Sequence, residues 1–144
     1  MKKYFPYILV TLQMSAIFYI MLTGKIIPSD KTLLILLILF LLIGMWAIAE
    51  MKFRFNIFPA LLSNSSLVTS GPYRYIRNPM YSSIIFMMLI LIINDFTYAR
   101  LTVWLLLIAI FITKINIEEK ILEREFPSYD EYRTRSKRLI PFIF

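Results

Sequence analysis

The 144-residue sequence contains neither cysteine nor histidine. Without cysteine, disulfides, thiolate nucleophiles and cysteine-based metal sites are excluded. Without histidine, the usual general base and the commonest metal ligand are missing. Any chemistry must therefore rely on carboxylates, Lys or Arg, Tyr, amides, backbone groups or a bound cofactor.

Polar residues are also in the minority, since hydrophobic residues make up 59% of the chain and the mean hydropathy is +0.70. A soluble domain of this size could not hide so much apolar surface, because ordinary domains are about 45–50% apolar. The excess must face lipid. The predicted fold class is therefore an all-α integral membrane protein, with a single domain over residues 1–144.

Four apolar stretches predict about four transmembrane helices. They cover approximately residues 4–22, 32–49, 79–93 and 101–116. A helix needs roughly 20 residues, and at least about 17, to cross the hydrocarbon core, so the third and fourth stretches are a little short. The first stretch resembles a signal peptide, but no small-residue cleavage site follows it, and we interpret it as a retained first helix.

The basic residues predict how these helices are oriented. With an even number of spans, one side of the membrane would carry only Lys25, Lys31 and Arg100, and the other side the remaining thirteen of the 16 basic residues. By the positive-inside rule, the basic side, with both termini and the long middle loop, is cytoplasmic, and the membrane is the cell (inner) membrane. The net charge of +7 is then explained by topology and anionic membrane lipids, and no nucleic acid partner is expected.

The densest motif, over residues 67–81, precedes the third apolar stretch. Its Asn78-Pro79 pair predicts the N-cap and first residue of a helix. A helix N-terminus can hold an anion, and Arg74 and Arg77 add positive charge. The motif also contains three tyrosines, so an anionic and partly flat ligand would suit it. Because Asn-Pro caps many helices and Arg and Tyr are common interfacial anchors, a structure without a ligand remains an alternative.

A second motif, over residues 114–126, follows the fourth apolar stretch. Lys114 and Glu118 are one helical turn apart and could pair, and a carboxylate so near a bilayer suggests a function such as binding a ligand ammonium. The alternative is a solvated helix that continues past the membrane. Because a short turn joins the third and fourth helices into a hairpin, the two motifs are expected to meet, and a zwitterionic ligand would fit between them.

Together these segments resemble the isoprenylcysteine carboxyl methyltransferase family and the related phospholipid methyltransferases. The resemblance covers about residues 40–144 and is carried by residues 67–73, 77–81 and 138–142 and by Glu118-Glu119 followed by Leu122, Phe126, Tyr129 and Tyr132. It implies a helical membrane enzyme that uses S-adenosylmethionine to methylate a lipophilic acceptor, either an isoprenylcysteine-like carboxylate or a lipid. The cofactor pocket would be cytoplasmic and formed by the middle loop, the hairpin and the C-terminal tail.

The resemblance also implies which residues form the site. The cofactor-binding positions are Leu67, Val68, Tyr73, Asn78, Pro79, Met80, Tyr81, Glu118 and Glu119. The candidate catalytic residues are Arg77 and Lys114, and Lys114 occupies the place of a basic residue that contacts substrate. The chain departs from the family where the usual His is Asn78, and where a small residue, often Gly, is replaced by Ser82-Ser83.

Two other functions are considered. A membrane reductase using NADPH would have a similar architecture, but the sequence has no Gly-rich dinucleotide fingerprint. A non-catalytic membrane protein would explain the departures at Asn78 and Ser83. Finally, the alternation of apolar and polar residues over 53–58 predicts a segment on the membrane surface or a short extended stretch that covers a pocket.

Overall fold

The computed structural model describes residues 4–52 and 67–140, and this part of the chain is helical. The helices are α1 (Phe5–Leu22), α2 (Lys31–Glu50), α3 (Pro79–Asn94), α4 (Tyr98–Glu125) and α5 (Tyr129–Arg135), with a short 3₁₀ helix at Gly71–Arg74. The all-α membrane fold is confirmed, and α1 to α4 contain the four predicted apolar stretches. The alternating segment at 53–58 lies outside the described residues.

Helices α1, α2 and α4 are long and apolar enough to cross a membrane, whereas α3 is a shorter apolar helix. With 16 residues, α3 is only about 24 Å long at 1.5 Å per residue. It packs between α2 on one side and α1 and α4 on the other. Its buried positions include Ile85, Met88 and Leu91, which belong to the central core with Phe111 of α4. Helix α3 is thus enclosed mainly by protein rather than by lipid.

Helices α2 and α3 approach closely where both have small residues. A Cβ atom added at Gly44 would lie 3.2 Å from the Cβ of Ser83, so little more than hydrogen fits there. Close backbone approach through small residues is a common way for membrane helices to associate. Next to this contact the rings of Phe40 and Phe86 stack with centroids 4.8 Å apart. The rest of α2 is largely exposed, as expected for a helix that faces lipid.

At the end of the bundle where α4 begins, the buried side chain of Arg100 connects three segments. It is 1% exposed, and its guanidinium donates to the carbonyl of Ile20 at 3.0 Å and to that of Asp95. The Ile20 carbonyl is in the last turn of α1, where helical carbonyls lack partners in their own helix. Gly24 leaves room for this contact, because a Cβ there would lie 2.5 Å from the guanidinium. Arg100 therefore fastens α1 to the turn between α3 and α4.

We expect Arg100→Met to lower the free energy of unfolding by about 1–3 kcal/mol, because the buried carbonyl of Ile20 and the partly buried carbonyl of Asp95 lose a charged donor. Thermal unfolding in detergent would measure this. Lys31→Met is the matched control, since Lys31 lies at the first turn of α2 and is exposed. Equal unfolding midpoints for the two variants would show that the Arg100 contacts do not stabilise the fold.

Candidate functional site

The predicted meeting of the two motifs is found in the structure. Helix α4 does not stop at the end of its apolar stretch but continues to Glu125, so its last turns lie beside the start of α3. There Tyr81 donates to Glu118 at 2.7 Å, and the Nε of Arg77 donates to Glu119 at 3.1 Å. The expectation that the hairpin brings both clusters to one end of the bundle is confirmed.

The side chain of Glu118 is held by an aromatic neighbour, and the residue as a whole is half-buried. The hydroxyl of Tyr81 donates to its Oε1 atom, and the Tyr81 ring stacks on Phe111 with centroids 4.8 Å apart. The Nζ atom of Lys114 lies 5.2 Å from the centroid of the same ring, which is within the range of a cation–π contact. Glu118 is therefore fixed in position while part of its surface is accessible to a ligand.

Lys114 was expected to pair with Glu118, and its hydrogen bond shows a partner that the sequence did not suggest. Its Nζ donates to the Oε1 of Gln13 at 2.7 Å, and both residues are buried, with 1% and 4% exposure. Lys114 and Glu118 still interact electrostatically. Gln13 comes from α1 and was not among the predicted site residues. A buried amide in an apolar membrane helix is the signal that could have identified it, because such residues are costly.

Glu119, the next residue of α4, is bound by two guanidinium groups. Arg77 reaches its Oε1, and the Nε of Arg138 donates to its Oε2 at 3.1 Å. Arg77 also donates to the carbonyls of Arg133 and Ser136 in the tail, by which we mean the residues that follow α4, including α5. The hydrogen bond to the carboxylate raises the pKa of Arg138, with a smaller opposing effect of burial. We call Arg77, Glu119 and Arg138 the Glu119 clamp, and it joins the segment before α3, α4 and the tail.

The part of the tail that follows α5 lies alongside the segment that leads into α3. The N–H of Arg77 donates to the carbonyl of Lys137 at 2.7 Å, and the N–H of Lys137 donates to the carbonyl of Tyr75 at 2.9 Å. These bonds form a parallel bridge between Ile76 and Lys137. The C-terminal tail was predicted to contribute to this end of the molecule. These backbone hydrogen bonds are how it contacts the segment before α3.

Asn78 occupies the predicted N-cap position of α3, but its side chain does not cap the helix. The Asn78 amide instead donates to the carbonyl of Arg138 at 3.1 Å, and Ser82 donates to the carbonyl of Leu139. The predicted N-cap position is confirmed, but Asn78 makes no side-chain capping hydrogen bond, and its amide N–H is bound to the tail. The buried first residue, Pro79, has no N–H, and the Ser82 N–H donates to the Asn78 carbonyl. The N–H groups at the positive end of the α3 dipole are therefore those of Met80 and Tyr81.

Tyr73, in the 3₁₀ helix, is buried and faces two carboxylates. Burial raises the pKa of Tyr73, and Tyr132, Glu118 and Glu50 raise it further. Burial also raises the pKa of Tyr132, to about 12. Both phenols therefore stay protonated at neutral pH, and the Tyr132 hydroxyl donates to the carbonyl of Tyr73 at 2.7 Å. The backbone of Tyr73 is thus bound to α5, and its phenol interacts electrostatically with Glu118.

Glu50, at the end of α2, is a second residue that sequence reasoning missed. Its carboxylate lies against Gly71, where an added Cβ would be 2.9 Å from the Glu50 Cδ, and the φ of +56° at Gly71 is one that favours glycine. A carboxylate at the end of an apolar span was the available signal. The other predicted positions are half-buried, with Leu67 and Val68 leading into the 3₁₀ helix and Met80 in the first turn of α3.

The fold and this site define a helical membrane protein with a polar centre where the α3–α4 hairpin meets the tail. A family model described as phospholipid methyltransferase matches residues 29–128, more than two thirds of the chain. The chain belongs to the phospholipid methyltransferase family, and the predicted relationship is confirmed. The family supports a methyltransferase acting on a lipid-type substrate rather than a reductase. No curated protein and no solved structure matches the chain.

We expect Glu119→Gln to destabilise the protein by about 3 kcal/mol, because it leaves two partly buried guanidinium groups without a counter-charge. Trypsin should then cleave the tail faster, since its basic residues lose their anchor. Glu123→Gln is the control, because the Arg133–Glu123 pair is more exposed and should contribute less than about 1 kcal/mol. Unchanged stability and proteolysis in Glu119→Gln would contradict the role of the clamp.

Proposed function

We propose that this protein transfers a methyl group from S-adenosylmethionine to a lipophilic acceptor in the membrane. The observation that carries the proposal is the Glu118 carboxylate, which Tyr81 fixes beside the start of α3, within the part of the chain that matches the family. The cofactor would supply the activated methyl group. The protein then has to bind the cofactor and the acceptor, align them and exclude water. None of these tasks needs histidine or cysteine.

The charges of the two motifs suit the amino-acid portion of this cofactor. Glu118 would bind the ammonium group, and the N–H groups of Met80 and Tyr81 in the first turn of α3 would bind the carboxylate. Pro79 begins this turn and Asn78 connects it to the tail. The two binding groups are separated by the length of one tyrosine side chain, because Tyr81 belongs to the first turn and its hydroxyl donates to Glu118. A zwitterion therefore fits the donor and acceptor groups that this chain presents.

The remaining predicted residues would line the cofactor or keep the site closed. Tyr73, with Leu67 and Val68 before it, would contact the flat part of the cofactor, for which an aromatic surface is suitable. Arg77 and Glu119 are bound to each other and to the tail. We therefore assign them a positioning role, in which they hold the tail over the start of α3 and limit the entry of water.

Lys114 is proposed to contact the acceptor. Its ammonium lies inside the bundle, between α1 and the Tyr81 ring, where an acceptor from the bilayer would have to place its polar group. An anionic oxygen of the acceptor is the natural partner of an ammonium. With the site on the cytoplasmic side, the cofactor would enter from the cytosol and the acceptor laterally from the membrane.

Binding of S-adenosylhomocysteine to the purified protein in detergent tests the proposal. The wild type should bind it by calorimetry, and Glu118→Gln should bind about 10–100-fold more weakly, because a hydrogen bond to a charged group is lost. Glu123→Gln, an exposed carboxylate on the same helix, should bind like the wild type.

NADPH should not displace S-adenosylhomocysteine in the same experiment. A folded wild type that does not bind S-adenosylhomocysteine would rule out the proposed function. Displacement by NADPH would instead favour a reductase.

A further inference from the structure

The inward face of α1 contains one polar residue where packing alone would need an apolar one. Its buried positions are Leu9, Gln13, Ala16 and Ile20. A buried amide within an apolar membrane helix is costly unless it has a hydrogen-bond partner. Here the partner is the ammonium of Lys114. The position of Gln13 in the sequence is therefore connected with Lys114 rather than with the packing of α1.

Gln13 is the first member of a chain of contacts that ends at Glu118, the residue proposed to bind the ammonium group of the cofactor. Its Oε1 accepts from Lys114 at 2.7 Å, the ammonium lies over the Tyr81 ring, and Tyr81 donates to Glu118 at 2.7 Å. Lys has a long and flexible side chain, so its ammonium could occupy many positions. The amide of Gln13 selects the one beside Tyr81, on the side of the site that faces α1.

The choice of an amide also bears on the charge of Lys114. A carboxylate at position 13 would pair with the ammonium and neutralise it, which is the usual way to accommodate a buried charge. An amide accepts the hydrogen bond without adding a second negative charge to that of Glu118, which already interacts electrostatically with Lys114. This is the arrangement expected if the ammonium has to attract an anionic group of a ligand.

We propose that Gln13 is a positioning residue, which holds the ammonium of Lys114 where it binds the acceptor. The proposal rests on the proposed function, because it needs Lys114 to contact the acceptor. The family match begins at residue 29 and so says nothing about α1. Helix α1 would then be part of the acceptor site in addition to crossing the membrane.

Methyl transfer from tritiated S-adenosylmethionine to native membrane vesicles, prepared from source cells lacking the gene, tests this role. We expect Gln13→Leu to raise the vesicle concentration at half-maximal rate about tenfold, as for a lost hydrogen bond to a charged group. The Kd of S-adenosylhomocysteine should stay unchanged. Thr11→Val is the control, because it removes an exposed polar group from the same helix.

A double-mutant cycle separates positioning from a purely structural contribution. In the Lys114→Met background, Gln13→Leu should cause no further loss of transfer, since residues that act through one contact are not additive. Additive losses, transfer equal to the wild type, or an equal loss of cofactor affinity in Gln13→Leu would each overturn the proposal.

Gln13→Glu covers the case in which Gln13→Leu does not fold. It keeps an oxygen acceptor for Lys114 but neutralises the ammonium. We therefore expect this variant to bind the cofactor and to need an at least about tenfold higher vesicle concentration for half-maximal rate. A vesicle concentration at half-maximal rate equal to that of the wild type would overturn the proposal. If the wild type neither binds S-adenosylhomocysteine nor methylates the vesicles, the proposed function fails as well. An active wild type that is insensitive to changes at Gln13 removes only the present inference.

Discussion

The Glu119 carboxylate is nearly inaccessible to water on α4, and each of its oxygens accepts hydrogen bonds from a guanidinium group, one from Arg77 and one from Arg138. A buried carboxylate is strongly unfavourable unless it is paired and hydrogen-bonded. Its partners come from the segment before α3 and from the tail, so the carboxylate is stabilised only when all three segments are assembled. The backbone bridge at Lys137 and the bond from Asn78 to the tail depend on this assembly.

Adjacent carboxylates on α4 consequently serve different purposes. Successive residues of a helix point about 100° apart, so Glu118 and Glu119 face different neighbours. Glu119 faces the tail, and both of its carboxylate oxygens accept hydrogen bonds within the Glu119 clamp. Glu118 faces Tyr81 and remains partly accessible. The clamp thus keeps the end of α4 in the rotation that presents Glu118 beside the first turn of α3, where the proposed cofactor would bind.

The transmembrane part of the protein uses the same principle of buried polar contacts. Arg100 satisfies carbonyls at one end of the bundle, and Lys114 contacts Gln13 farther along α4. Both contacts join α1 to the α3–α4 hairpin, which packs by apolar side chains elsewhere. In an apolar environment such contacts determine which faces of the helices meet, because an unpaired charge there is costly.

Local features of the sequence determined the helices. Hydropathy predicted the four apolar stretches, Asn78-Pro79 predicted the start of α3, and the short turn before Tyr98 predicted that the two motifs would meet. The family of the chain also followed from short motifs, each of which can be recognised within its own segment. Hydrophobic runs, helix starts and turns are likewise recognisable from neighbouring residues, since their signals extend over a few positions.

The partners of the polar side chains were decided only by the tertiary structure. Lys114 hydrogen-bonds Gln13 of α1, although Glu118 lies one turn away, and the side chain of the N-cap residue Asn78 donates to the carbonyl of Arg138. These choices depend on how each helix is rotated and on where the tail lies. Rotation is set by packing between segments distant in sequence, such as Gly44 against Ser83, and periodicity or spacing along one segment does not contain it.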